Sequence, residues 1–374
     1  MADLTPPASE AEALDWLRLI RSRRVGPATF RRLLIAHGSA AAALEALPKI
    51  AAEAGVDDYA PCPADRVAQE YETGVRLGAR LVALGSRTYP AALTGIADAP
   101  PLLWLLGQPD LARKPAVALV GARNASALGL RTARRLGAGL GTSGLVVISG
   151  LARGIDAAAH EAALPTGTIA VLAGGLDCPY PPENLALAQR IRAEGLLVSE
   201  QPFRLAPAAR HFPRRNRLIS GLARAVVVVE AARGSGSLIT ARDALDQGRE
   251  VMAVPAHPFD PRGGGCLDLL RDGATLVRGP EDVLEALGTV PDRAAGDAAP
   301  VADPSPATDP APPPGDRDAV QARILDRLSV SPAPEDALHR DLAMPPGDLA
   351  PHLTELELAG VIARQPGGLL SRVA

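Results

Sequence analysis

Short runs of apolar, often β-branched residues alternate with amphipathic segments of helical length between about Lys114 and Leu287. Strands that are apolar on both faces and separated by helices predict a doubly wound α/β domain with a parallel sheet. Ligands of such domains bind at the carboxyl ends of the strands. The predicted strands are Ala116–Val120, Leu145–Ile148, Ile169–Ala173, Leu196–Ser199, Ala225–Val229, Val251–Val254 and Thr275–Val277, with helices between them at Leu128–Leu140, Glu183–Ala193 and Ser237–Gln247.

The first 70 residues show helical spacing only. Leu14, Leu17 and Ile20 share one helix face, and a turn at Gly26 precedes a second helical pattern from Phe30. Two helices joined by a glycine-containing hairpin are typical of DNA-binding helix-hairpin-helix units, whose hairpin amides meet phosphates. A small helical packing domain without a ligand fits the same pattern, and both interpretations stay open.

A segment rich in proline, alanine and aspartate separates this part of the chain from its C-terminal end. Residues 289–317 contain eight prolines and five aspartates and no periodic apolar pattern. Such a composition cannot bury enough surface to order itself, so we predict an extended linker. The predicted domains are a helical domain at 8–70, an α/β domain at 71–288, the linker at 289–315 and a C-terminal domain at 316–374.

The C-terminal pattern predicts three helices followed by two strands, which is the arrangement of a winged helix. The helices are expected at about Val320–Leu328, Glu335–Leu342 and from Gly347 to Leu358, and the strands flank a Pro366-Gly367-Gly368 turn. The third helix carries acidic side chains and no arginine or lysine. Reading of a DNA groove and docking to a protein therefore both remain possible roles for this domain.

Composition excludes several classes of protein. Hydrophobic residues make up 47% and charged residues 22% of the 374 residues, which is the balance of a globular chain. The longest apolar stretches, Leu102–Leu106 and Ala225–Val229, are far shorter than the roughly 20 residues that span a bilayer. No secretory signal is visible at the start, so we expect a cytoplasmic protein. The three cysteines and six histidines lack ligand spacing, so we expect neither a metal nor a cofactor.

One segment is strongly basic although the net charge of the chain is −3. Residues 204–224 contain six arginines and no acidic residue. A local charge of this size in a mildly acidic protein favours an anionic ligand.

Polar loops follow the predicted strands and should converge on one edge of the sheet. The loop Gly121–Ser126 opens a helix but has an arginine where a dinucleotide-binding motif has its second glycine, which disfavours NAD. A P-loop is absent from the sequence.

In the next loop, Asp156 and His160 stand four residues apart. They are either an acid–base pair or a helix cap beside a hydrogen-bonded histidine. No nucleophile accompanies them in a recognisable frame, so no catalytic residue is predicted.

The remaining loops add arginines, small hydroxyl residues, glycines and one aromatic ring. We predict the basic segment 211–221 to be a loop on this edge. Phosphate-binding groups beside a stacking platform are typical of a groove for a single-stranded polynucleotide. Arg217 pairing internally with Glu230, and Phe212 belonging to the core, are the structural alternatives. The candidate DNA contacts are Gly121, Arg123, Ser126, Ser149, Gly150, Arg153, Gly154, Arg210, Phe212, Arg214, Asn216, Arg217, Arg233, Ser235 and Ser237.

At these loops the chain resembles the DprA/Smf family of DNA-processing proteins. The matching segments are Val120–Gly129, Ser149–His160, Gly174–Asn184, Phe212–Gly221, Glu230-Ala231 and Ser235–Thr240. The resemblance implies an extended Rossmann-like domain that binds single-stranded DNA, an N-terminal helix-hairpin-helix or SAM-like domain and a C-terminal winged helix. It also implies protection of incoming DNA in natural transformation, loading of the RecA recombinase, and a homodimer. Arg123, Phe212 and the arginines beside it are the implied DNA contacts.

The sequence departs from the family pattern in one loop. Ala256-His257 stands where the family usually has glycine after proline, and Leu267 stands where asparagine is expected.

Two other functions stay open. A nucleotide phosphoribohydrolase would share the strand and loop plan, but Arg233–Arg242 lacks the glutamate that such an enzyme needs. A transcription regulator would use the winged helix and keep the α/β domain as a nucleotide sensor.

Overall fold

The computed structural model describes residues 4–288, 317–328, 333–342, 344–365 and 369–373. The predicted linker at 289–315 and the predicted turn at 366–368 lie outside the described residues.

Nine strands form one sheet in the order β1-β2-β6-β5-β4-β3-β7-β8-β9. The seven strands predicted from the sequence, β3 to β9, are parallel to one another. At the edge of the sheet, β2 runs antiparallel to β6, and β1 forms a hairpin with β2. This hairpin was not among the predicted elements. The strands are β1 (Arg80–Ala83), β2 (Leu102–Gly107), β3 (Ala116–Val120), β4 (Val146–Ser149), β5 (Thr168–Val171), β6 (Leu196–Ser199), β7 (Ala225–Val228), β8 (Glu250–Ala253) and β9 (Thr275–Leu276).

Helices cover both faces of the sheet, as a doubly wound domain requires. Along β3, Ala116, Ala118 and Val120 pack into the core on one face, and Val117 and Leu119 pack into a second core on the other. This double burial explains why the strand reads as an unbroken apolar run. The helices of this domain are α5 (Ala127–Thr142), α6 (Ile155–Ala163), α7 (Leu185–Glu194), α8 (His211–Leu222), α9 (Gly236–Asp246), α10 (Gly264–Arg271) and α11 (Pro280–Ala286).

Four helices form the N-terminal domain. Ser9 and Ser39 cap the first and third helices by accepting from the amide three residues further on. In the core, Trp16 of the first helix meets Phe30 of the second edge to face at 5.0 Å. The last helix passes residue 70, the predicted end of this domain, because its amphipathic pattern continues to residue 77. The helices are α1 (Glu10–Arg21), α2 (Pro27–His37), α3 (Ala40–Glu53) and α4 (Ala64–Leu77).

A buried carboxylate joins the N-terminal domain to the sheet. Glu70 in α4 accepts two hydrogen bonds from the guanidinium of Arg21, at 2.9 and 2.7 Å, and one from the indole of Trp104 in β2, at 2.9 Å. Arg21 also donates to the backbone carbonyl of Glu200, just beyond β6, at 3.1 Å. The charge is therefore buried with its hydrogen bonds made, as a carboxylate in a protein interior requires.

The C-terminal domain has the winged-helix arrangement that the sequence predicts. Ile324, Leu338, Leu349 and Leu353 are fully buried in a core of its own. Its three-stranded sheet has the order β10-β12-β11. The elements are α12 (Arg317–Arg327), β10 (Ala333–Pro334), α13 (Glu335–Leu342), α14 (Pro346–Leu358), β11 (Ile362–Gln365) and β12 (Leu369–Arg372).

In the part of the chain that the structure describes, no single helix is long and apolar enough to cross a membrane. Helices α2 and α3 meet that requirement only when they are taken together, across a bend of 105°.

Candidate nucleic-acid interface

A cleft of about 710 Å³ opens where the order of the parallel strands reverses. Strand β3 has β4 on one side and β7 on the other, so the loops after β3 and β7 diverge at its carboxyl end. Residues 121–124 and 232–237 of these two loops line the cleft. This is the position at which doubly wound sheets bind their ligands.

The basic segment forms helix α8, and the prediction of a loop there was wrong. Phe212, Arg215, Asn216 and Ile219 line the cleft, and their spacing of three, four and seven residues places them on one helix face. Pro213 lies in the first turn of α8, where its missing amide costs the helix nothing. One wall of the cleft is therefore a helix face, which holds its side chains more rigidly than a loop would.

The aromatic ring of Phe212 lies among cationic and aromatic side chains. The guanidinium of Arg123 is 5.3 Å and that of Arg215 is 6.0 Å from its centroid, and the ring of Tyr180 is tilted against it at 5.8 Å. Phe212 is half-buried, whereas Arg123 is exposed. Guanidinium groups at these distances are attracted by the ring face, so positive charge is held beside an accessible aromatic surface.

Arg215 forms the floor of the cleft, although it was not among the candidates. Its guanidinium donates to the carbonyl oxygens of Gly150, at 2.6 Å, and Val171, at 2.5 Å. No described residue pairs with its buried Nε. Burial lowers the pKa of Arg215 to about 10, which leaves it charged at neutral pH. Nearby, the carboxylate of Asp156 accepts from the amides of Gly150 and Ala152 at 3.1 and 3.4 Å, and burial raises its pKa.

His160 is held as a neutral imidazole beneath this floor. Its Nε2 accepts from the amide of Leu151 at 3.3 Å, and its Nδ1 lies 2.7 Å from the hydroxyl of Thr168. Because that hydroxyl donates to the carbonyl of Val147, Nδ1 carries the proton. Burial lowers the pKa of His160 to about 3. His160 is thus the hydrogen-bonded histidine of the structural alternative. Asp156, in contrast, accepts from amides of the loop that precedes α6, and no side chain caps this helix.

Glu230 fixes the loop after β3. Its carboxylate accepts from the hydroxyl of Ser126 at 2.5 Å and from the amide of Ser126 at 2.9 Å. The Ser126 hydroxyl oxygen in turn accepts from the amide of Gly129 and so caps α5, and the Glu230 carbonyl accepts from the amide of Ala122. Ser126 is buried and does not line the cleft. Its role here is to hold the loop that carries Arg123 in place.

Arg217 forms ion pairs inside the protein and does not line the cleft. Its Nε lies 3.0 Å from a carboxylate oxygen of Asp98, and its terminal nitrogen lies 2.5 Å from one of Glu200. The side chain is 13% exposed. The suggested partner Glu230 was wrong, because that carboxylate is occupied by Ser126. Two residues along a helix turn by about 200°, so Arg217 points to the side of α8 opposite Arg215.

The other candidates fall into three groups. Seven line the cleft, namely Gly121, Arg123, Phe212, Asn216, Arg233, Ser235 and Ser237. Three support its backbone from below: Ser149 donates to the carbonyl of Leu119, Gly150 accepts from Arg215, and Gly154 packs against the carbonyl of Ala122. Gly154 has φ +76°, a conformation that favours glycine. Three exposed arginines lie outside the cleft, namely Arg153, Arg210 and Arg214.

Arg262 also lies on the edge of the cleft, although it was not among the candidates. Arg233 pairs with Asp268 at 2.7 Å while its side chain stays 74% exposed.

Among the described residues, no three histidine, cysteine or acidic side chains come together to hold a metal ion. The fold and the cleft define the class: an α/β protein whose strand switch point carries a cleft lined by arginines, glycine-rich loops and hydroxyls, with a helical N-terminal domain and a C-terminal winged helix.

The chain belongs to the DNA recombination-mediator protein A family, which is the DprA/Smf family expected from the sequence. The model of that family matches residues 80–288. The model of the DprA-like N-terminal HHH domain matches residues 10–73, and that of the DprA winged helix domain matches residues 306–368.

Curated relatives and solved structures agree with this assignment. The chain is 39% identical over 300 residues to Protein Smf of Escherichia coli, which covers 77% of this chain and 76% of that one. It is 46% identical over 198 residues to DNA processing protein DprA of Streptococcus pneumoniae, which covers 52% and 70%. The structure of the S. pneumoniae protein matches with a TM-score of 0.57 at 35% identity, over 74% of this chain and 91% of that chain. A Helicobacter pylori DprA structure, described by its single-stranded DNA binding mode, matches with a TM-score of 0.52 at 30% identity, over 56% and 95%.

Proposed function

We propose that this protein binds single-stranded DNA in the cleft between the loops after β3 and β7, and that it acts by binding, without catalytic turnover. The observation that carries the proposal is the exposed Arg123 guanidinium held over the half-buried Phe212 ring. A cation beside an aromatic face can take a phosphate and the neighbouring base at once. The single-stranded DNA binding mode described for the H. pylori relative supports the same ligand.

The proposed contacts follow from the geometry of the cleft. Arg123, Arg215 and Arg233 supply positive charge, and Ser235 at the start of α9 lies where helix amides favour a phosphate. Phe212 supplies the stacking surface. Gly121, Asn216 and Ser237 complete the lining, and Arg153, Arg210 and Arg214 extend the positive surface outside it.

The wider role is proposed from family membership. We infer that the protein protects incoming DNA in natural transformation and recombination and helps to load the RecA recombinase, working as a homodimer. Two clefts in one dimer would hold two stretches of a strand, and such linkage raises avidity without new contacts. A strand-exchange assay on DNA precoated with single-strand-binding protein tests this role, with a shorter lag expected when the protein is added in substoichiometric amount.

The enzyme alternative would require an acid or base free to act on a nucleotide. Asp156 lines the cleft, but it is buried, and its carboxylate accepts from backbone amides of the adjacent loop. We therefore expect Asp156→Asn to leave DNA binding and RecA stimulation largely intact. Nucleotide or DNA cleavage that disappears in this variant would establish an enzyme instead.

Fluorescence anisotropy with a labelled oligo-dT and a matched duplex tests the binding proposal directly. We expect preferential binding of the single strand, sharply weakened by Arg123→Glu at low salt. Each phosphate interaction that the variant removes should also flatten the plot of log affinity against log salt by about 0.7. Arg190→Glu is the matched control, since Arg190 is an exposed arginine on α7 that does not line the cleft. Equal affinities of wild type and Arg123→Glu would refute the proposed site.

A further inference from the structure

The winged-helix domain packs against the α/β domain beside the cleft. Arg262 donates three hydrogen bonds to backbone carbonyls at the end of α12, to Leu325 at 3.2 Å, Asp326 at 2.6 Å and Leu328 at 2.8 Å. A guanidinium at this position satisfies carbonyls that have no partner within the helix. The C-terminal end of α12 is therefore attached to the edge of the cleft.

A second contact joins α13 to α5. These helices pack together. Arg131 and Arg134 of α5 interact electrostatically with Asp341 in α13, as do Arg327 and Arg340 within the winged-helix domain. Asp341 is partly buried there. An acidic group of the C-terminal domain thus faces a basic helix of the α/β domain, outside the cleft.

Two features of this docking bear on the cleft itself. Arg262 lines the cleft, so the guanidinium that holds α12 is also within reach of a bound phosphate. Asp326 lines the cleft as well and is exposed, which places a negative charge where the proposed DNA backbone would pass. Helix α14, by contrast, has no arginine or lysine with which to read a DNA groove.

We infer that the winged-helix domain is a docking module for the α/β domain of its own chain, and that docking and single-stranded DNA compete for Arg262 and for the space beside Asp326. This inference rests on the proposed function of the cleft. DNA that enters the cleft draws Arg262 away from the α12 carbonyls and is repelled by Asp326. Undocking therefore raises DNA affinity, and by linkage DNA weakens docking by the same factor.

The variant Asp341→Arg in the full chain tests this coupling, because it reverses the charge that faces Arg131 and Arg134 without touching the cleft. We expect its dissociation constant for oligo-dT to fall about five- to tenfold, within the range of coupling between sites. Its radius of gyration from small-angle X-ray scattering should exceed that of the wild type without DNA. The double variant Arg134→Asp with Asp341→Arg should restore both values.

Asp348→Arg is the matched control, since it changes the net charge equally from an exposed position at the start of α14. An equal gain in affinity for Asp348→Arg would show a general charge effect and overturn the inference. So would unchanged affinity and size in Asp341→Arg while the wild type still binds DNA. A wild type that binds no single-stranded DNA would refute the proposed function instead. A change from dimer to monomer in Asp341→Arg would show docking between chains and overturn docking within one chain.

Discussion

Arg123 and Arg217 were both expected to contact DNA, and the structure predicts opposite consequences for their loss. Arg217→Ala removes ion pairs with Glu200, whose side chain is 16% exposed, and with Asp98, which is 51% exposed. Breaking a buried pair costs about 3–5 kcal/mol and an exposed one about 0–1 kcal/mol. Since one partner is nearly buried and the other is half exposed, we expect the free energy of unfolding to fall by about 2–4 kcal/mol.

Arg123→Ala should show the reverse pattern. Its guanidinium packs over the ring of Phe212 at 5.3 Å, and such an interaction contributes about 0.5–1 kcal/mol to stability at an exposed site. Losing a charge-assisted hydrogen bond to a phosphate costs about 1.5–3 kcal/mol, so oligo-dT affinity should fall roughly ten- to a hundredfold.

Urea denaturation and fluorescence anisotropy on the two single variants measure both effects, with anisotropy measured where each variant is folded. We expect Arg217→Ala to lose stability and keep its DNA affinity, and Arg123→Ala to do the opposite. If folded Arg217→Ala loses as much affinity as Arg123→Ala, then Arg217 leaves its carboxylates to bind DNA, and its assignment to a purely structural role is wrong.

Three further predictions concern the cleft and the network beneath it. Phe212→Ala should lose about 1–3 kcal/mol of affinity for every homopolymer alike; intact affinity with lower thermal stability would make Phe212 a core residue. Ser126→Ala leaves Glu230 without a hydroxyl donor and α5 without its cap, so unfolding should become easier by about 2 kcal/mol, as urea denaturation will measure. The pKa of His160 is about 3 in the folded protein and 6.5 in the unfolded chain. Between these values only the unfolded chain takes up the proton, so the free energy of unfolding falls as the pH falls from 6.5 toward 3. The slope is at most about 1.4 kcal/mol per pH unit. His160→Gln should remove this part of the slope, and an unchanged slope would contradict the buried neutral imidazole.

The parallel sheet could be predicted from the sequence because its strands are buried on both faces. A short unbroken apolar run such as Ala225–Val228, with helical segments on either side, indicates a central strand of a covered sheet. The edge hairpin could not be found so easily. Its strand Leu102–Gly107 is also a continuous apolar run. However, no helix of crossover length separates it from the next strand along the chain, β3. The alternation of strands and helices that indicates a parallel sheet therefore does not include this strand.

The lining of the cleft was predicted well at the level of its loops and less well at the level of its side chains. The position of the cleft follows from strand topology, which the alternation of elements encodes. Whether an arginine faces a ligand or a carboxylate depends on partners far away in sequence, such as Asp98 for Arg217. Recognising 211–222 as a helix would have improved the prediction, because helical spacing from Phe212 selects Arg215 and leaves out Arg217.

The two tryptophans of the chain decide what its intrinsic fluorescence can report. Trp16 is buried in the N-terminal domain against Phe30, and Trp104 is buried where that domain meets the sheet, with its indole donating to Glu70. Neither ring lines the cleft. Tryptophan emission will therefore follow melting of the N-terminal domain and its separation from β2. DNA titrations need a label on the oligonucleotide, and this leaves the protein's own emission free to monitor the integrity of the fold in the same cuvette.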